Sequence, residues 1–214
     1  MTYCISDIHG EIDRFRAMLK IIQLVPEDQL YILGDVIDRG SAGIDIIRII
    51  MRMKNVKMLL GNHEQMMYDD LGKTYTYNAK RLWLSNGGSP TRRRLLYCTP
   101  AQERRAVLKF IKGLPDMEEI NVNGKPFVLV HGMPSCDKQN RIWGRIDESC
   151  ENPVPGKTVV VGHTPTCFLT NNFSEPFQIW KRPGIIDIDC GCGNATEFRA
   201  LACLRLDDMK EFYV

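Results

Sequence analysis

Five short apolar runs, each breaking off at a side chain of the kind that binds metals, constrain this chain more than any other feature. Tyr3-Cys4-Ile5-Ser6 runs into Asp7, Tyr31-Ile32-Leu33-Gly34 into Asp35, and Met58-Leu59-Leu60-Gly61 into Asn62. Phe127-Val128-Leu129-Val130 runs into His131, and Val159-Val160-Val161-Gly162 into His163. Ligands of open sheets gather at the carboxyl ends of strands, so five donors at five strand ends predict one convergent site. The chain has four histidines, His9, His63, His131 and His163, and each falls at a strand-end glycine. Glycine there lets the chain turn sharply and lets backbone approach an ion or a phosphate.

Longer helical patterns lie between these runs, the alternation of a layered protein of mixed α and β structure. Strands are predicted at Thr2–Ser6, Gln29–Gly34, Val56–Gly61, Pro126–Val130 and Thr158–Gly162, with β-like stretches at Gly184–Asp189 and Arg199–Leu206. Helices are predicted over Ile12–Leu24, Gly43–Met53, Glu64–Leu71 and Pro100–Lys112. The last has Thr99 as N-cap, Pro100 at N1, Gln102 at N3 and Gly113 as its stop. Gly72–Pro100 differs. Tyr75, Tyr77, Trp83, the turn cluster Asn86-Gly87-Gly88-Ser89-Pro90 and the basic triplet Arg92–Arg94 read as a helical and looped insertion over the main sheet. It is too short to bury its own core. The expectation is one domain over 1–214 with an insertion at about 72–115.

Lys and Arg total 28 against 26 Asp and Glu, a net charge of +2, which argues against a nucleic-acid groove or a membrane-surface binder. No apolar run approaches the roughly 20 residues of a membrane span, and no signal peptide is visible. The eight cysteines contain no C-x-x-C pair. They are expected as reduced, small buried hydrophobes in a cytoplasmic protein, with a redox role for Cys190 and Cys192 left open.

Taken in order, Ser6-Asp7-Ile8-His9-Gly10, Gly34-Asp35-Val36-Ile37-Asp38-Arg39-Gly40, Gly61-Asn62-His63-Glu64, His131-Gly132 and Gly162-His163-Thr164-Pro165 resemble a known series. It is that of the phosphoprotein phosphatase family of binuclear metallophosphoesterases, nearest to its small bacterial and phage members. The resemblance spans Ser6 to Pro165. It implies an α+β fold, the calcineurin-like β-sandwich of two sheets flanked by helices, with the metal site at one end. It implies two divalent ions bridged by Asp35, with Asp7 and His9 completing one site and Asn62, His131 and His163 the other. Such donors suit Mn²⁺, Fe or Zn²⁺ and are too nitrogen-rich for a Ca²⁺ or Mg²⁺ cage; Mn²⁺ is the expected metal. Two ions roughly 3.5–4 Å apart can share a water, lower its pKa and clamp an in-line displacement at phosphorus.

The resemblance further implies that His63 is the general acid for the leaving alkoxide, its tautomer fixed by Asp38, and that Arg39 grips phosphate oxygens. Ile142-Trp143-Gly144-Arg145 resembles a second phosphate-binding segment, in which Arg145 is preferred over Arg141 and Trp143 is taken as packing. The chain departs from the family pattern at Ser6, where many members have Gly, and at Gln65. Asp189-Cys190-Gly191-Cys192-Gly193 stands in the tail in place of the tyrosine-containing motif of the large eukaryotic members, so their substrate and inhibitor contacts are not carried over.

The expected function is a metal-dependent phosphomonoesterase acting on phosphoserine and phosphothreonine in proteins, with phosphotyrosine open. The alternative is a nucleotide hydrolase resembling the symmetrical diadenosine tetraphosphatases, and a lesser one is a non-catalytic scaffold. Both enzymes share the metal motifs, so Gly72–Pro100 and Pro134–Arg141, the expected cleft walls, must separate them. The expected partner is a phosphoprotein or a phosphorylated small molecule, with no nucleic acid and no membrane. Elsewhere, Arg92–Arg94 reads as a solvated helix face, and Met51, Met53 and Met58 as core filler. Tyr75, Tyr77 and Trp83 read as packing of the insertion, with stacking on a nucleobase as the other reading.

Overall fold

Successive side chains of a strand point to opposite faces, so runs as apolar as Leu30–Leu33 need cover on both sides. The computed structural model describes residues 1–72 and 76–214. Its strands are β1 (Thr2–Ile5), β2 (Gln29–Ile32), β3 (Val56–Met58), β4 (Met117–Val122), β5 (Lys125–Val130), β6 (Thr158–Val161), β7 (Trp180–Arg182), β8 (Ile185–Asp187), β9 (Ala202–Arg205) and β10 (Lys210–Tyr213). Its helices are α1 (Ile12–Ile22), α2 (Gly43–Ile50), α3 (Asn62–Leu71), α4 (Tyr77–Ser85), α5 (Ser89–Tyr97), α6 (Ala101–Lys112), α7 (Lys138–Trp143) and α8 (Thr166–Thr170).

Two five-stranded mixed sheets form, in the orders β10-β9-β1-β2-β3 and β4-β5-β6-β8-β7. The strands β1, β2 and β3 run parallel, as do β5, β6 and β8. Their sidedness shows in which core each side chain joins. Tyr3, Ile5, Leu30 and Ile32 meet Phe15, Met18, Ile44 and Ile47 of the helices. Cys4, Tyr31 and Leu33 point the other way and meet Phe127, Leu129, Val160 and Ile186 of the second sheet. Val128, Val130, Val159 and Val161 form a third cluster on that sheet's outer face with Ile146 and Leu169. The result is helices over a two-sheet sandwich, an α+β arrangement.

The insertion helices are stitched into the first of these cores: Trp83 of α4, Leu95 of α5, and Val107 and Ile111 of α6 are all buried there. Three strands, β4, β7 and β10, lack a strong apolar run and go unpredicted. The start of α6 also differs from its sequence signal. Pro100 occupies the N-cap with no side-chain cap bond, because Thr99 Oγ1 donates to Arg94 O (2.9 Å) at the end of α5 instead. Arg92 and Arg94 are not simply solvated. Arg92 pairs with buried Asp70 (2.7 Å) and Arg94 with Asp45 (3.1 Å), leaving Arg93 exposed. Met58 is core, but Met51 lies past the end of α2 and is 40% exposed. Tyr77 is exposed, Trp83 is fully buried, and Tyr75 lies outside the described residues. No described helix is long and apolar enough to cross a membrane.

Candidate metal centre

Beyond β1, β2, β3, β5 and β6 the chain turns sharply, and the turns carry the polar side chains. Asp7, His9, Asp35, Asp38, Arg39 and His163 all take positive φ, from 47° to 72°. Such backbone costs about 1–3 kcal/mol per residue and persists only where its surroundings over-determine it. Here His9 N–H donates to Asp35 O (2.9 Å), Gly10 N–H to Val36 O (2.8 Å) and Gly40 N–H to His9 O (3.0 Å). Gly34, at φ 92°, sits so close to Gly61 that a Cβ would fall 2.6 Å from its backbone. Glu64 locks the same two loops: its buried carboxylate accepts from the N–H groups of Asp35 (2.8 Å), Val36 (2.9 Å), Ile37 (3.3 Å) and Gly61 (3.2 Å). Burial, then the charge of Asp35, pushes Glu64 up to about 7, against the pull of those donors. Sequence reasoning gave Glu64 no role; four backbone donors converging from two loops leave no sequence signal.

The side chains converge on Asp35. Its Oδ2 lies 3.4 Å from His131 Nε2 and 3.8 Å from the Nε2 atoms of both His9 and His63. Asp7 Oδ1 is 3.9 Å from His9 Nε2, and Asn62 Oδ1 is 3.0 Å from His131 Nε2. Two metal-sized groups share Asp35: one adds His9 and His63, the other His131 and His163, with each group's ligand atoms within 4.8 Å of one another. The tautomers fit. His9 Nδ1 donates to Ile37 O (3.0 Å) and His131 Nδ1 to Leu33 O (2.7 Å), because a carbonyl can only accept. In each ring Nε2 is thereby the nitrogen left facing Asp35, the one that would ligate an ion. His163 Nε2 is buried with no hydrogen-bond partner among the described residues.

Electrostatics point the same way. Burial alone would raise Asp35, but His131, His63 and His9 hold it well below the usual carboxylate range. Burial opposes charge on His131, yet Asp35 pulls it up to about 10. Burial, then His131, drives His163 down to about 3. A buried carboxylate ringed by imidazole nitrogens, one of them orphaned, is a donor set that fits divalent transition-metal ions.

Residues 2–185 match the sequence profile of the calcineurin-like phosphoesterases. The chain belongs to that family. Symmetrical bis(5'-nucleosyl)-tetraphosphatases of Salmonella, such as those of Salmonella paratyphi A and Salmonella newport, are 37% identical over 65 residues, 29% of this chain and 23% of theirs. The chain thus matches under a quarter of the length of these curated relatives. A solved metallophosphoesterase from Sphaerobacter thermophilus superposes with a TM-score of 0.62 at 18% identity, covering 100% of this chain and 87% of its own. A cold-active protein-tyrosine phosphatase from a psychrophilic Shewanella gives 0.61 at 14%, covering 99% and 79%. A candidate diadenosine tetraphosphatase gives 0.67 at 16%, covering 100% and 92%. At such identities these structures share the fold.

In this calcineurin-like phosphoesterase a cavity of about 800 Å³ opens over the centre, bounded by Asp35, Asn62, His63 and His163 at its floor. His63 differs from the other imidazoles: its Nδ1 donates to Asp38 Oδ2 (2.7 Å), and Nε2 alone faces the centre. Arg39 and Arg145 both line the cavity, Arg39 held by Asn194 Oδ1 (3.2 Å) and Arg145 by His163 O (3.1 Å). Arg141 instead forks onto Asp116 (2.9 and 3.0 Å). Trp143 packs on the core and also lines the cavity, its ring edge-on to His163 with centroids 6.1 Å apart. The cleft walls are Trp143, residues 145–148, Thr164, Pro165, Phe168, Leu169 and Asn171; of the expected walls, Gly72–Pro100 contributes Asn86, and the described lining includes no residue of Pro134–Arg141. Phe168, 62% exposed, and Asp189 also line the cavity and were missed. Cys190 and Cys192 are buried, and burial pushes both thiols up, Cys192 to about 12. Both thiols are thus held away from the thiolate form on which thiol reactivity depends.

Proposed function

We propose that this chain hydrolyses phosphoric esters and anhydrides with two divalent cations, Asp35 serving both, Asp7 and His9 one, and Asn62, His131 and His163 the other. Mn²⁺ suits this set of carboxylate, amide and imidazole donors. When bound, such a pair lowers the pKa of a water and neutralises charge on the phosphoryl group. Arg39 and Arg145 clamp phosphoryl oxygens with planar N–H forks. His63 holds a proton on Nε2 for the departing oxygen, while Asp38 accepts from Nδ1–H and fixes ring and tautomer. The chain works as one unit over 1–214, with 72–115 as its insertion. A reducing, cytoplasmic setting fits its eight free cysteines.

For the substrate we favour a nucleotide of the dinucleoside polyphosphate class. The cavity carries this reading: beyond the paired arginines it continues onto an apolar shelf of Trp143, Ile146, Phe168 and Leu169. Flat aromatic groups find area there, and the 37% identity over 65 residues to symmetrical bis(5'-nucleosyl)-tetraphosphatases supports it. Phosphoserine or phosphothreonine in proteins is the second reading, supported by the ordered motif series from Ser6 to Pro165. Rates with Mn²⁺ on diadenosine tetraphosphate and on phosphoserine and phosphotyrosine peptides decide between them. A higher kcat/KM on the dinucleotide is expected, and the reverse ranking makes the chain a protein phosphatase. Turnover of none of these, nor of p-nitrophenyl phosphate, returns it to the scaffold reading.

A further inference from the structure

The insertion does more than cover the first sheet. Trp83 on α4 is fully buried, and its indole N–H donates to Asp38 Oδ2 at 2.7 Å. His63 Nδ1 bonds that same oxygen, also at 2.7 Å. Asp38 is itself buried, and its other oxygen, Oδ1, has no partner among the described residues. An indole can only donate, so the contact holds Oδ2 as an acceptor and ties the carboxylate to one orientation.

The turn after α4 and the start of α5 complete the hold. Asp38 N–H donates to Thr91 Oγ1 (2.9 Å) and Arg39 N–H to Gly87 O (3.0 Å). These bonds clamp two consecutive residues at φ 72° and 60°. Gly88 is required for the seat, since a Cβ there would fall 2.4 Å from Trp83 Nε1. Without the indole, the carboxylate is anchored by His63 alone and is free to turn its unpaired oxygen toward the ring.

We propose that Trp83 is a positioning residue: its indole N–H fixes the Asp38 carboxylate, which in turn aims His63 at the leaving group. This rests on the reading of His63 as the proton donor. The experiment compares Trp83→Phe, Gly88→Ala, His63→Asn, Asp38→Asn, Asp38→Ala and the Asp38→Ala/Trp83→Phe double variant at matched metal content and measured Tm. Phosphoserine peptide and p-nitrophenyl phosphate are the paired substrates. Trp83→Phe is expected to slow the peptide by about tenfold, the worth of one hydrogen bond to a charged group. The nitrophenyl ester should slow much less, and Gly88→Ala, which displaces the indole without removing it, should show the same split. In the Asp38→Ala background, which leaves the indole no oxygen to bond, Trp83→Phe should add nothing. Equal losses on both substrates, or a full additional loss in the double variant, overturn the role of Trp83. A split in His63→Asn without one in Trp83→Phe overturns it too and leaves His63 as the acid. No split in His63→Asn overturns the acid assignment itself. One further measurement needs no Trp83 variant. In the proton spectrum of the whole protein, Asp38→Asn is expected to shift the most protected indole N–H resonance, and no shift in any indole resonance contradicts the contact.

Discussion

Asp35 is the residue on which the site turns, since its Oδ2 faces three imidazole Nε2 atoms at 3.4–3.8 Å. Asp35→Asn removes the charge those nitrogens surround, so metal content and turnover should fall together, and further than for a change at Asp7 or Asn62. Metal analysis beside a rate assay checks it; two tightly held ions and most of the activity would remove Asp35 from a shared role. His63 is the residue whose two faces differ, one bonded to Asp38 and one open to the cavity. His63→Asn should keep its metal and lose about 10²–10⁴-fold on a serine phosphate, the range of a lost general acid. The loss should be smaller on p-nitrophenyl phosphate, whose leaving group is stable unprotonated. A phosphoanhydride also releases a weaker base than an alkoxide, so on a dinucleotide His63 matters less. Loss of an ion in this variant would instead make His63 a ligand.

The elements meet at their loops. Because Gly34 has φ 92° and no room for a Cβ beside Gly61, Gly34→Ala should destabilise by at least the ~1–3 kcal/mol of forced backbone strain. Chemical denaturation measures it, and a change within error would show that the loops can part. The strand-end donors were legible because a buried apolar run ending in Asp, Asn or His is unusual, and five such runs reinforce one another. The sandwich was legible through the same runs and the ordered motifs. What escaped depends on contacts between distant segments. Trp83 meets Asp38 across 45 residues, Glu64 gathers N–H groups from the loop after β2, and Thr99 leaves the cap position to bond Arg94 O. None of these has a periodicity or spacing. The strands β7 and β10 escaped because they lie at sheet edges and carry mixed polarity.

At the scale of the whole molecule, six strained site residues and a buried carboxylate ringed by imidazoles sit at one end of a two-sheet sandwich. Ions that bind only the folded state stabilise it, by about 2.7 kcal/mol at a hundredfold excess over Kd. For a chain of this size that is a Tm higher by roughly 5–10 °C. Calorimetry with and without EDTA should show this, and an unchanged Tm would mean that no ion binds the native site tightly. Catalysis by a centre of two ions is tested most directly by titrating metal back into chelated protein while following both bound metal and hydrolysis of p-nitrophenyl phosphate. No turnover is expected in the metal-free chain, recovery with Mn²⁺ should be complete at two ions per chain, and recovery with Mg²⁺ should be weaker. Full turnover in protein shown by metal analysis to be free of ions would contradict it.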